Sequence, residues 1–391
     1  MLADRILAVP RSPFYSIMEL AQQRGDCIYL QLGEPDFTTP AHIREAVKKA
    51  LDQGYTHYGS DRGAPELRQQ LAKKLARTGA EFDWRDEILV TAGGQAALHV
   101  AVMSLVNPGE EIIILLPHYP PYVVNSLLCG GKAVFVKLRP ERGFIPDPAE
   151  IEAAITPKTK AIIVLTPNNP TRAVYPADVL GQILEVAKRH NVTIISDETY
   201  ESLVYDGVHT SFLSFPGARD HVVHVSGFSK TYAMTGLRVG YLAAPREKLI
   251  QFLKYHHTVN ISANVPSQMA CAAAMQGPQD CVTEMRDEYH RRRDLLIPML
   301  NDIPGISCHR PQGAFYVFPN IAGCLGSTSA GGKAIATDED FALALLEEQH
   351  VATVFGAAFG MSPYLRISYA TDEASLEEGC RRIARFVATL R

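Results

Sequence analysis

The stretch AIIVLTPNNPTRAVYPADVLGQILEVAKRHNVTIISDETY, Ala161 to Tyr200, holds two continuous apolar runs with one amphipathic segment between them. AIIVLTP and VTIISDE read as strands buried on both faces. PADVLGQILEVAKRH repeats its apolar residues at helical spacing. Continuous apolar strands that alternate with helices argue for a mostly parallel sheet covered on both sides. The same beat extends outward through EILVT, the helical QAALHVAVMSLV closed by NPG, EIIILLP, KAVFVKL and HVVHVSG. The predicted fold class is therefore α/β, with a large domain over residues 46–282.

Past that point the pattern changes. EMRDEYHRRRDLLIPML predicts a long amphipathic helix, and GAFYVF and YLRISYA predict short strands, each near another helix. These predict a smaller α+β domain, formed by residues 14–45 and 283–391, with residues 1–13 as an N-terminal arm. HRRRD, His290 to Asp294, reads as a solvated helix face. The Gly/Ser-rich GCLGSTSAGGKA, Gly323 to Ala334, reads as a mobile loop. No internal repeat is present.

The chain has 391 residues, 47% of them hydrophobic, enough for two or three domains and a substantial core. A net charge of −4 gives no sign of a nucleic-acid partner. Seven cysteines without CxxC spacing read as reduced thiols, not as a disulfide framework or a zinc site, so no metal is expected. The opening MLADRILAVPRSPFY lacks the apolar core of a signal peptide, and no apolar run is long enough to span a bilayer. A cytoplasmic protein with no membrane partner is the expectation.

Open α/β sheets bind ligands beyond the carboxyl ends of their strands. After EILVT comes AGGQ, either a tight strand–helix turn or a phosphate cradle at a helix N-terminus. After EIIILLP comes HYPPY, where Tyr119 is either an ordinary aromatic or a ring that stacks on a planar ligand. NNPT follows AIIVLTP and is either a proline turn or an Asn amide offered to a ligand. Asp197 ends VTIIS and either caps the next turn or faces a protonated ring nitrogen, with Tyr200 close behind. HVVHVSG delivers Ser229 and Lys230, and Arg238 lies beyond. Lys230 is either a snorkelling cation or a nucleophilic amine. Together these residues supply what pyridoxal 5'-phosphate requires: a phosphate cradle, a stacking ring, a donor to the phenolic oxygen, an anion for the ring nitrogen and a lysine.

With LGEPDF, YTHYGSDRGAPELR, TAGGQAAL, PHYPPY, PNNPT, SDETY, SGFSKTYAMTGLRVGY and YLRISYA in this order, the chain resembles a class I/II aminotransferase of PLP fold type I. The resemblance runs from SPFYSIMELA to the C-terminus. It implies pyridoxal 5'-phosphate as cofactor, with Lys230 as the Schiff-base lysine and Lys230, Asp197 and Tyr200 as the catalytic set. It implies Asp197 on the ring nitrogen, Tyr200 and Asn169 on the phenolic oxygen, and Tyr119 stacked on the ring. Gly94, Gln95, Ser229 and Arg238 are implied for the phosphate, joined by Tyr58 from a neighbouring subunit. Arg366, the Gly33 backbone and Asn169 are implied for the substrate α-carboxylate. A homodimer with a shared active site is implied too. The implied reaction moves an amino group between an L-amino acid and a 2-oxo acid by a ping-pong route. A PLP-dependent lyase, or other carbanion chemistry on the same fold, is the alternative. A PLP-binding regulator is a third class, which needs an appended DNA-binding segment, whereas here the catalytic pattern begins almost at once.

Two positions depart from the family pattern. Many relatives read NPTG where this chain has Arg172, and bacterial aspartate aminotransferases of this subgroup often carry a lysine at Gln95. Arg172 is either a solvated loop arginine or a side chain at the mouth of the site that favours an acidic substrate. Phe14, Tyr15 and Tyr119 either line an apolar side-chain pocket or, for the first two, serve N-terminal packing.

Overall fold

The computed structural model describes residues 2–391. Its centre is a seven-stranded sheet in the order Ile88–Thr91, Gly240–Ala243, Val222–Gly227, Thr193–Asp197, Thr159–Leu165, Glu111–Leu116, Lys132–Lys137. Gly240–Ala243 is antiparallel to both of its neighbours, and every other pairing is parallel. The inner strands are buried along nearly all of their length, which is why they read as unbroken apolar runs. The helix Ala177–His190 lays Leu180, Ile183, Leu184 and Ala187 against the sheet and ends at Asn191, whose left-handed backbone (φ +50°) closes it.

The one reversed strand begins at a glycine that the packing requires. In the ladder Gly240 stands opposite Thr91 on one side and Gly227 on the other. A Cβ on Gly240 would fall 2.2 Å from the backbone nitrogen of Gly94, the first residue of the helix Gly94–Leu105. The helix can therefore start directly against the sheet end.

The C-terminal part holds a three-stranded antiparallel sheet, Val354–Phe355, Leu365–Ser368 and Tyr316–Val317, with the helices Asp280–Asn301, Asp338–Gln349 and Glu373–Ala388. Ile28–Tyr29 pairs in parallel with Val351–Ala352, which joins an early segment of the chain to a late one. The divisions drawn from sequence at 45/46 and 282/283 each fall inside a helix, Ala41–Asp52 and Asp280–Asn301. Ala41–Asp52 packs on Val265–Gln276.

Two local expectations are corrected. Arg291 of HRRRD is solvated, but the two arginines after it are not. Arg292 is 6% exposed and bonds both oxygens of Asp36 at 2.9 Å, while Arg293 is 0% exposed and is held by Asp206, Asp294 and the Pro311 carbonyl. Carboxylates from distant segments bring these charges inside. The Gly/Ser-rich stretch is also ordered by partners. Ser327–Thr328 pairs with Ala334–Ile335, and Ser329 donates to Glu348.

Replacing Gly240 by alanine forces strand and helix apart. Overpacking of this kind is expected to cost about 1–3 kcal/mol, read as a lower urea midpoint at unchanged slope.

Candidate active site

The carboxyl ends of the sheet open into a cleft of about 630 Å³. Asp197 ends its strand there, buried, with Oδ2 accepting from the Tyr122 hydroxyl at 2.9 Å. Its Oδ1 accepts from the Thr199 hydroxyl at 2.6 Å and the Thr199 amide at 3.2 Å. Burial raises the Asp197 pKa, against these hydrogen bonds, which favour the charged form.

Lys230 enters the same cleft from the segment after Val222–Gly227, and its Nζ donates to the Gly33 carbonyl at 2.5 Å. Burial lowers its pKa to about 8. Glu34 opposes the shift, and the positive charges of Arg366 and Arg238 add to it. A lysine held this way is a neutral amine in mildly alkaline solution, the form that attacks a carbonyl or takes a proton.

The helix Gly94–Leu105 presents an N-terminus with no side-chain cap. Gly93, at φ +93°, precedes it, and a Cβ there would lie 2.5 Å from Nη2 of Arg238. Free backbone N–H groups and a guanidinium thus converge on one spot, an arrangement that suits a phosphate. Ser229 and Gln95 line the same part of the cleft, and Gln95 accepts from the Tyr119 hydroxyl at 3.4 Å. Tyr119 packs edge-on against Tyr122, with centroids 5.6 Å apart.

On the opposite wall Arg366 is buried. Its Nη2 donates to the Gln31 carbonyl at 2.7 Å and its Nη1 to Asn169 Oδ1 at 3.3 Å, while Nε has no partner. The guanidinium lies over the rings of Tyr316, Phe14 and Phe359 at 4.4, 4.7 and 5.1 Å. Burial lowers its pKa, and the groups that offset the shift are phenols rather than a carboxylate. A buried guanidinium with no carboxylate partner of its own suits a carboxylate ligand. The Tyr200 hydroxyl meets the Tyr316 hydroxyl at 2.9 Å.

The structure therefore gathers Gly33, Gly94, Gln95, Tyr119, Asn169, Asp197, Tyr200, Ser229, Lys230, Arg238 and Arg366 around one cleft. Tyr58 is 82% exposed and lies outside it. Phe14 and Tyr15 both line the cleft, Phe14 edge-on to Phe359. Arg172 answers to neither of its sequence readings, being 1% exposed and absent from the cleft lining. Tyr122, Thr199, Tyr316 and Arg11 escaped the sequence reading. Tyr122 is the second tyrosine of HYPPY and sits one helical turn from Tyr119, the one signal that pointed to it. Among the described residues no cluster of His, Cys, Asp and Glu could hold a metal, and no helix is long and apolar enough to cross a membrane.

Residues 25–383 match the family of class I and II aminotransferases. The chain is 44% identical to an aspartate/prephenate aminotransferase of Cereibacter sphaeroides, over 95% of this chain and 94% of that protein. It superposes on the crystal structure of the aspartate aminotransferase of Rhizobium meliloti with a TM-score of 0.96 and 39% identity, covering 100% of both chains. Against the Thermus thermophilus aspartate aminotransferase with maleate the TM-score is 0.92, with 37% identity over 99% of each chain.

The lowered pKa of Lys230 sets a pH signature. Below about 8 the amine is protonated and inert, and above it the neutral form dominates. In protein freed of any bound group, acylation of Lys230 followed by peptide mapping is expected to reach half its maximum near pH 8. A midpoint at the ordinary lysine value of about 10.4 would contradict the buried setting.

Proposed function

The chain belongs to the class I and II aminotransferases, and we propose that it uses pyridoxal 5'-phosphate to move the amino group of a dicarboxylic amino acid, aspartate foremost, to a 2-oxo acid. The observation that carries this reading is the pairing, across one cleft, of an amine with a pKa of about 8 and a buried guanidinium that has an unbonded N–H.

The residues present fit the cofactor. In this reading Gly94, Gln95, Ser229 and Arg238 hold its phosphate. Tyr119 lies against its ring, Tyr200 and Asn169 donate to its phenolic oxygen, and Asp197 keeps a proton on its ring nitrogen. When bound, the group supplies a carbonyl carbon for the amine and a ring that accepts the electron pair left at Cα. Tyr122 and Thr199 hold Asp197 in place through its two oxygens. Arg366 takes the α-carboxylate in a two-pronged grip, with Gly33 and Asn169 beside it, and so fixes where Cα sits. Lys230, neutral above its lowered pKa, is placed to take the Cα proton and return it. The 2-oxo acid leaves and a second one returns by the same path, so the kinetics are ping-pong.

For the distal carboxylate the candidate is Arg11. It lines the cleft, and its partner Glu19 is 60% exposed. A solvent-exposed pair is weak, so an arriving carboxylate can replace Glu19 at small cost. The relatives named as aspartate aminotransferases, and the maleate of the Thermus thermophilus structure, support an acidic substrate.

A homodimer and a cytoplasmic location belong to the same proposal, as does the division into a large domain and a smaller one. Besides those near the N-terminus, exposed apolar side chains include Leu51, Tyr55 and Tyr58 and Ile250, Val259 and Ile261. These two segments adjoin where His256 meets Asp61. Covered by a second copy, this surface would carry Tyr58 toward the neighbour's phosphate.

The test is a panel of amino donors with 2-oxoglutarate and pyruvate. Without an oxo acid the enzyme stops after one turnover. Continued release of ammonia would identify a lyase. Lys230→Ala is expected to abolish multiple turnover while the fold survives. Arg366→Ala is expected to raise KM for every donor. Arg11→Ala is expected to raise it for acidic donors alone, on the order of tenfold, the worth of about 1.4 kcal/mol.

A further inference from the structure

We propose that Arg172 is a positioning residue for the carboxylate-binding wall. It ties the Asn168–Arg172 loop to the strand Tyr316–Val317 and so sets Tyr316 against Arg366 and Tyr200. The inference rests on the proposed function, in which Arg366 receives the substrate.

Arg172 is a buried cation without an anion. Its Nε donates to the Thr171 carbonyl at 2.6 Å and its Nη1 to the Tyr316 carbonyl at 3.3 Å. The other groups acting on it are the Cys308 thiol and the Tyr369 phenol, and burial lowers its pKa. A guanidinium taken out of water with no carboxylate beside it is a costly arrangement. Its backbone adds strain, since φ is +63° on a residue that carries a Cβ. Two unfavourable features coincide three residues from Asn169, in a loop braced by Asn168. Asn168 accepts from the Thr171 amide and hydroxyl and passes its own carbonyl to the Arg172 amide at 2.9 Å.

Tyr316 gives the contact its meaning. Its ring lies 4.4 Å from the Arg366 guanidinium, its hydroxyl meets that of Tyr200 at 2.9 Å, and that hydroxyl stands 2.9 Å from where a Cβ on Gly33 would be. A shift in the Tyr316 backbone therefore moves the floor under Arg366, the orientation of Tyr200 and the space over Gly33 together. Arg172 holds that backbone from the loop that also carries Asn169, which itself accepts from Arg366. The loop and the strand thereby act as one frame.

Arg172→Met keeps the stem and removes the charge and the donors. Arg172→Lys restores a charge and a single donor group. In the PLP-loaded enzyme, Arg172→Met is expected to raise KM for aspartate and for alanine alike, on the order of tenfold, with kcat changed less than about threefold. Amide hydrogen exchange over residues 313–318 is expected to quicken by roughly tenfold or more, and Arg172→Lys is expected to recover part of both effects. A lower melting temperature with KM and exchange unchanged would overturn the proposal and leave Arg172 a stability element. An effect confined to acidic donors would overturn it by moving Arg172 to the side-chain pocket. Failure of the parent protein to transaminate would defeat the functional reading alone, because the exchange measurement needs no turnover and still decides the clamp.

Discussion

Only a hydrogen fits between Gly240 and the backbone nitrogen of Gly94. That contact lets the helix Gly94–Leu105 begin at the edge of the sheet rather than a turn beyond it. The uncapped N–H groups, Arg238 and the segment that carries Lys230 then share one end of the fold. Gly227 stands opposite Gly240 in the ladder, but a Cβ there would lie 3.6 Å from the Gly94 nitrogen, an ordinary contact, so the constraint rests on Gly240. The uncapped helix N-terminus and the amine are parts of one piece of packing.

Charge is distributed around the cleft with the same economy. Asp197 faces the cleft with hydrogen-bond donors on both oxygens, while Lys230 and Arg366 approach without a carboxylate in direct contact. Burial pushes all three toward their neutral forms, and it matters most for Lys230, whose pKa falls to about 8. The neighbouring Glu198 shows the opposite outcome. Burial alone would raise its pKa, yet His224 and the hydrogen bond from His209 outweigh burial and hold it well below the usual carboxylate range. Two adjacent acids are separated by their partners: one is enclosed by donors within the core, and the other is turned to the cleft.

Most of the cleft was legible along the chain because the strands deliver it in order. Gly94, Gln95, Tyr119, Asn169, Asp197, Ser229 and Lys230 each follow a continuous apolar run, and ligand-facing residues of an open parallel sheet lie past such runs, whereas Gly33 and Arg366 came only from the family resemblance. Residues that act from elsewhere were not legible. Arg11 sits in an arm whose sequence carries no periodic signal, and Tyr316 lies in a strand of two residues. Arg292 and Arg293 looked like surface charges because the carboxylates that bury them, Asp36 and Asp206, lie far away in the sequence.

The sequence by itself determined the α/β class, the order of strands and helices around the seven-stranded sheet, and which residues stand at the strand ends. Periodicity and turn chemistry are local, and both act within a few residues. Only the tertiary structure decided where long side chains point. Arg172 and Arg366 are both buried, yet one reaches backbone carbonyls behind the site and the other lines the cleft, its Nη atoms on Gln31 and Asn169. The direction of a guanidinium is set by the groups that solvate it once water is gone, and those groups arrive from segments that no local pattern connects.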